Sequence, residues 1–315
     1  MIDWLTFSIR ASTVVQVKAL IGMAHDSIKW EVLGGCNGYP ESIYYGGVRI
    51  MYGASEEMGI CVNMSGQGCR SYESFGGNDW VYLFSVLCTL QQAEAANVSR
   101  LDLAFDDHSG VLDIDQIRYD TDVGNWTAKF RWWICEYGSE GLSMYYGSPK
   151  SNIRCRIYDK AAERGLSGEH WVRVELQLRK CNAMTAVQHI NSGLSFSTVF
   201  SGVLRNYIQF REPADDTNMA RWPLADYWEK FLDGAVPVSL WVNPGTDYNL
   251  SRLQSFVIDQ AGNAISAFVL IHGFDSLLYF LEQYKPYSDL PAKYRYLVDL
   301  YRSGGGGFVY DEETD

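Results

Sequence analysis

Three stretches of this chain alternate apolar and polar residues, and such a pattern demands a sheet with two unlike faces. In residues 99–106, Leu101, Leu103 and Phe105 face one side, and Arg100, Asp102, Ala104 and Asp106 face the other. In 152–159, Ile153, Cys155 and Ile157 oppose Arg154, Arg156 and Tyr158. In 170–179, Val172, Val174, Leu176 and Leu178 oppose Arg173, Glu175, Gln177 and Arg179. An antiparallel sheet with one buried and one solvated face is the plain reading. The polar face is unusual for a merely solvated one: it carries Asp, Glu, Arg, Gln and Tyr, with few Lys, Ser or Thr.

The rest of the chain places these stretches in a larger order. Residues 3–8 read as a strand and 12–24 as a helix capped by Ser12 or Thr13. Glycine-punctuated strands follow over 29–64, with turns near Gly34-Gly35, Gly46-Gly47 and Gly53. A helix over 79–96 precedes the 99–106 strand. The second half repeats the order: a short helix over 113–120, strands over 126–136, 142–147, 152–159 and 170–179, then helices over 181–192, 196–210, 224–233 and 247–260. Further helix is expected over 262–284 and 290–302, and a flexible acidic tail after it. The predicted fold class is α+β: a mainly antiparallel curved sheet built from two βα-type halves, with a helical C-terminal region.

Composition excludes several classes. No run of about 18 apolar residues exists, so no membrane span is expected, and MIDWLTFSIR lacks the basic and apolar regions of a secretory signal. The seven cysteines are odd in number and form no C-x-x-C pair. That argues against zinc and a disulfide framework and places the chain in the cytoplasm. The net charge of −12 opposes a nucleic-acid partner. Residues 126–180, however, hold ten Lys/Arg against six Asp/Glu, a local net of +4.

That basic segment surrounds Tyr158 with Arg154, Arg156 and Lys160. A phenol is ionised to roughly one part in a thousand at neutral pH, and these cations are expected to lower its pKa. Tyr158 is then a candidate nucleophile toward a phosphodiester. If the three strands are neighbours, Asp102, Asp106 and Glu175 converge on a hard divalent ion such as Mg²⁺ or Mn²⁺. Each feature has a plainer reading. The chain has 21 tyrosines, mostly packing residues. Asp107 suits a loop cap, and no two of the five histidines have metal-ligand spacing. SGQGCR (65–70) lacks the phosphate-loop pattern and reads as a tight turn, although Arg70 could reach a DNA backbone. Cys69 has no histidine neighbour to activate it.

In order along the chain, IDWLTFS, MSGQGCR (64–70), SRLDLAFDD (99–107), YYGSPKSNIRCRIYDKAAE (145–163), WVRVELQLR (171–179) and RWPLADYWEKFL (221–232) resemble the Rep_trans family. These are rolling-circle replication initiation factors of Gram-positive plasmids, with related nicking relaxases of integrative conjugative elements and replication proteins of filamentous phages. The resemblance implies origin-specific DNA nicking and closing by a tyrosine, through a 5′-phosphotyrosyl intermediate. It places the nucleophile at Tyr158, acidic positions at Asp102, Asp106 and Asp107, and a glutamate at Glu175. Of the aspartates, alternation favours Asp102 and Asp106. The resemblance also implies Mg²⁺ or Mn²⁺, origin DNA as duplex and single-stranded hairpin, and a host helicase of the PcrA/UvrD class; a homodimer is a further expected partner.

The expected site is therefore Tyr158 with Arg154, Arg156 and Lys160, metal ligands Asp102, Asp106 and Glu175, and DNA contacts at Arg70, Arg173 and Arg179. Arg205, Arg211, Arg221 and Lys230 are candidates for base contacts. Expected boundaries are an N-terminal α+β subdomain (1–70), a catalytic nicking domain (71–212), a helical region (213–303) and a tail (304–315). Two other readings use the same residues: a metal-dependent hydrolytic nuclease, and a non-catalytic DNA-binding relative.

Overall fold

The computed structural model describes residues 1–75, 79–233 and 261–284, together with 238, 240, 257, 287–290, 295 and 298. Ten strands form one antiparallel sheet: β1 (Ile2–Ile9), β2 (Glu31–Gly34), β3 (Glu41–Tyr45), β4 (Val48–Tyr52), β5 (Ile60–Met64), β6 (Ala96–Asp107), β8 (Trp133–Gly138), β9 (Gly141–Tyr146), β10 (Ile153–Asp159) and β11 (Val172–Arg179). Their order is β2-β3-β4-β5-β1-β6-β11-β10-β9-β8. The remaining strands, β7 (Trp126–Ala128) and β12 (Ile208–Phe210), pair separately.

The sheet order is symmetric about the β1–β6 seam. Each half begins on its inner strand and passes through a helix, α1 (Val14–Leu20) or α4 (Ile114–Val123), to the outer edge. Four strands then meander back until the last pairs with the first. This is the α+β, two-half architecture expected. Thr13 caps α1 through a capping box with Gln16. The β3–β4 turn is Gly46-Gly47, with φ of +51° and +88°, the left-handed pair that a two-residue hairpin needs.

Apolar residues of the alternating strands are buried on one face: Leu101, Leu103, Ile153, Cys155, Ile157, Val174, Leu176 and Leu178. Helices α2 (Gly66–Phe75), α3 (Trp80–Gln92), α6 (Cys181–Asn191) and α7 (Phe196–Tyr207) supply the other side of this core, through Tyr72, Phe84, Val187 and Val203 among others. Phe105 is 42% exposed, yet it packs against Phe200 and, edge-on, Phe231 of α8 (Asp226–Leu232). The short α5 (Lys160–Glu163) follows β10 directly.

SGQGCR opens α2 instead of forming an isolated turn. The Ser65 carbonyl accepts from the Cys69 amide at 2.7 Å, and a Cβ on Gly68 would lie 2.3 Å from the Gly47 carbonyl oxygen. The motif thus lets a helix start against the β3–β4 hairpin. Position 70, the expected subdomain boundary, falls inside α2, and strands before and after it share one sheet. The expected strand over 126–136 is two strands, β7 and β8, in different sheets.

Met1–Trp241 form one compact unit and Val242–Asp315 another. In the second unit, the expected helix over 262–284 is broken at Gly273 (φ +84°) into Gly262–His272 and Phe274–Tyr284. The expected helices over 247–260 and 290–302 fall almost entirely outside the described residues, and the 304–315 tail wholly so. Among the described residues no single helix is long and apolar enough to cross a membrane.

Candidate active site

Strands β6, β11 and β10 are consecutive neighbours, so the three polar stretches form one continuous face. Register sorts its side chains into rows. The first runs Asp106, Arg173, Tyr158 and Ser143. The second runs Ala104, Glu175, Arg156 and Tyr145. The third runs Trp4, Asp102, Gln177 and Arg154.

Tyr158 and Glu175 meet diagonally between the first two rows. The phenol donates to Glu175 Oε1 at 2.6 Å. Tyr158 is only 1% exposed. The Arg156 guanidinium lies over its ring, 3.6 Å from the centroid, and the Lys160 ammonium is 5.3 Å away. Arg156 also donates to Ser143 Oγ at 3.2 Å and lies 3.5 Å from Glu163. Lys160 is buried and ion-paired to the same Glu163. Asp159 caps α5 through the Ala162 amide, which turns Glu163 back toward both cations. Arg154 lies over a different ring, that of Tyr145, at 4.3 Å.

The expectation that cations depress the Tyr158 pKa is overturned. Burial pushes the phenol above its usual value, and the adjacent Glu175 carboxylate pushes it further. The cations are already paired: Arg156 and Lys160 share Glu163, and Arg173 is held by Asp106 and Asp3. Burial likewise raises the Glu175 pKa above the ordinary carboxylate value, against the lowering effect of the phenol hydrogen bond.

Arg173 is expected at a DNA backbone but is buried and fully engaged. Its Nε and Nη2 donate to the two oxygens of Asp106 at 2.6 and 2.8 Å, and Nη1 lies 3.4 Å from Asp3. Trp171 Nε1 also donates to Asp106, at 2.6 Å. Burial works to raise the Asp106 pKa, but the Arg173 and Trp171 hydrogen bonds prevail and lower it. Asp102 is held by both Nε and Nη2 of Arg100; burial nevertheless raises its pKa.

Asp102, Asp106 and Glu175 therefore share a face without converging. Asp102 and Asp106 are four residues apart on one strand, roughly 13 Å between Cα atoms. Each carboxylate answers its own partner: Arg100, Arg173 and Tyr158 in turn. Among the described residues no group of three or more His, Cys, Asp or Glu side chains is placed to hold a metal ion. The three ligands expected for Mg²⁺ or Mn²⁺ do not fit a single ion in this arrangement.

The remaining candidates are placed plainly. Asp107 accepts from Ser109 and the Leu112 amide, the loop cap expected of it, and lies 3.3 Å from His170. Arg70 donates to the Ile2 carbonyl at 2.6 Å and pairs with Glu73, tying α2 to β1. Arg179 donates to the Pro149 carbonyl. Arg205, Arg221 and Lys230 pair with Glu229, Asp216 and Asp226, and Arg211 bonds the Trp222 carbonyl. Cys69 is fully buried, and burial pushes its thiol up, away from reactivity.

Two site residues escape the sequence reading. Asp3 enters from β1, where the register slips between Ile2 and Trp4. Its oxygen reaches Arg173, and its charge helps raise the Glu175 pKa. Glu163 is visible only as one of six acids in a basic segment; its place four residues after the Asp159 cap is the available signal.

A family profile described as replication initiation factor matches residues 96–278, more than half of the chain and all of β6, β10 and β11. The chain belongs to the replication initiation factor family. A second profile, the rolling circle replication initiation protein N-terminal domain, matches residues 1–86. Together they divide near the β1–β6 seam, so the factor's two sheet halves correspond to two recognisable segments. The candidate DNA relaxase NicK of Bacillus subtilis (strain 168) is 23% identical over 266 residues, 79% of this chain and 74% of that protein. A solved rolling circle replication initiator protein from Geobacillus stearothermophilus is 30% identical, with a TM-score of 0.66, covering 77% of this chain and 98% of its own.

Proposed function

We propose that this replication initiation factor nicks and recloses one strand of its origin DNA through Tyr158. The observation that carries the reading is the 2.6 Å hydrogen bond from Tyr158 to Glu175 within a cluster of cations. The Tyr158 oxygen attacks the scissile phosphorus as its proton passes to Glu175. A phenol–phosphorus bond forms, the phosphorus–O3′ bond breaks, and the departing 3′ oxygen takes up the proton. The products are a 5′-phosphotyrosyl strand and a free 3′-hydroxyl that can prime synthesis. Attack of that hydroxyl on the phosphotyrosine reverses every step and recloses the strand.

The burial-raised pKa of Glu175 brings base and phenol closer in proton affinity, which favours the transfer. Arg156 spans the phenol and Glu163; an incoming phosphate competes with Glu163 for it and for Lys160. Arg173 is fixed by Asp106 and Asp3, so it acts as a preset charge beside the phenol. The chain has no G-x-x-x-x-G-K-[ST] loop. Strand separation beyond the nick therefore falls to another protein, consistent with a host helicase of the PcrA/UvrD class.

The test is covalent trapping on a supercoiled plasmid carrying the factor's own origin. Digestion with trypsin should leave DNA on the peptide Ile157–Lys160, and Tyr158→Phe should give no adduct while still binding the origin. An adduct on another residue, or free 5′-phosphate ends with none, would reject the assignment.

A further inference from the structure

Next to Tyr158 the open face holds a cavity of about 300 Å³, lined by Glu136, Ser143, Tyr145, Arg156 and the β8–β9 turn. Glu136, Ser143 and Tyr158 share one row on neighbouring strands. The Glu136 backbone therefore lies two strands from that of Tyr158, about 10 Å, a separation on the scale of one extruded nucleotide. We propose that this cavity receives a single nucleobase adjoining the scissile phosphate, stacked on Tyr145 and read by Glu136. The proposal rests on the nicking role of Tyr158.

Three observations support a base over a second phosphate. Tyr145 is an aromatic wall fixed in place: the Arg154 guanidinium is 4.3 Å from its centroid and that of Arg156 5.4 Å. Such platforms bind bases by stacking. Glu136 has no ion-pair partner among the described residues and would repel a phosphate. A carboxylate beside a nucleic-acid path can offset that repulsion by accepting hydrogen bonds from a base. Arg156 joins the cavity to the nucleophile, lining one and covering the ring of the other.

The acceptor-only carboxylate sets a preference. Guanine offers two adjacent N–H donors on its Watson–Crick edge, whereas thymine offers one between two carbonyls. The cavity should therefore favour guanine, and the base must leave its stack to enter.

Binding of the full chain to a fluorescent oligothymidylate and to the same oligomer with one central guanine tests this by anisotropy. The guanine oligomer should bind about tenfold tighter. Tyr145→Ala should weaken its binding by roughly tenfold, Tyr145→Phe should restore it, and Glu136→Gln should abolish the preference. Glu136 lies on the exposed edge strand, so its variant reports even if Tyr145→Ala fails to fold. Equal affinity for the two oligomers, or a preference that survives both Glu136→Gln and Tyr145→Ala, overturns the proposal. Adduct formation at Tyr158 without guanine preference would remove the pocket and keep the nickase. Guanine preference without an adduct on the origin would do the reverse.

Discussion

Glu175→Gln isolates the proton-accepting step. The glutamine carbonyl can still accept the phenol hydrogen bond that Glu175 Oε1 makes at 2.6 Å, but it cannot carry the proton away. Loss of a general base typically costs 10²- to 10⁴-fold, about 3 to 5 kcal/mol of barrier. Stability should move the other way. The folded-state pKa of Glu175 is raised, with burial as the main cause. Its stabilising contribution is then present while the carboxyl is protonated and is lost as pH rises from the unfolded value through the folded one. Glutamine escapes that penalty, so the variant should melt at neutral pH no lower than the parent. The assay is single-turnover adduct formation across pH, with melting temperature recorded alongside. The parent should lose rate as pH falls through the raised pKa, and the variant should lack that limb. A variant within threefold of the parent's rate, or one that keeps the acidic limb, would refute the base assignment.

Other changes follow from the same geometry. Tyr158→Phe should abolish the adduct and leave Glu175 buried without its donor, costing about 1–3 kcal/mol in urea unfolding at neutral pH and less in acid. Asp106→Ala should strand buried Arg173 and destabilise by about 3–5 kcal/mol. Because the Asp106 pKa is lowered, its contribution holds above the unfolded value and fades as pH falls through the folded one; acid titration of stability should show the variant converging on the parent at low pH. Gly68→Ala forces a Cβ onto the Gly47 carbonyl and should cost about 1–3 kcal/mol in thermal or urea melts.

Alternation alone was enough to read the facing of β6, β10 and β11, since a period of two admits only two orientations. Tyr158 and Glu175 do share a face and touch. What alternation cannot carry is distance along a strand: Asp102 and Asp106 face alike yet stand at separate rows with separate arginines. Pairing across strands is also silent in a sequence. Arg173 reads as a free cation until Asp106, 67 residues away, and Asp3, 170 residues away, are set beside it. The Tyr158 pKa is hidden for the same reason: charge counted along the chain shows neither the burial of the phenol nor the Glu175 carboxylate set against it from the next strand, with Glu163 a smaller contribution.

The two halves of the sheet match strand by strand, so a row in one has a counterpart in the other. The row Asp106, Arg173, Tyr158, Ser143 has its counterpart in Ser8, Cys61, Met51 and Ser42. There Met51 stands where the phenol would be, buried beneath Cys36 and Asn37. The twin is chemically mute. If Tyr158 is the sole nucleophile, each chain holds one DNA end at a time. Joining two different ends then requires a second acceptor, either another copy of the chain or a hydroxyl on the DNA.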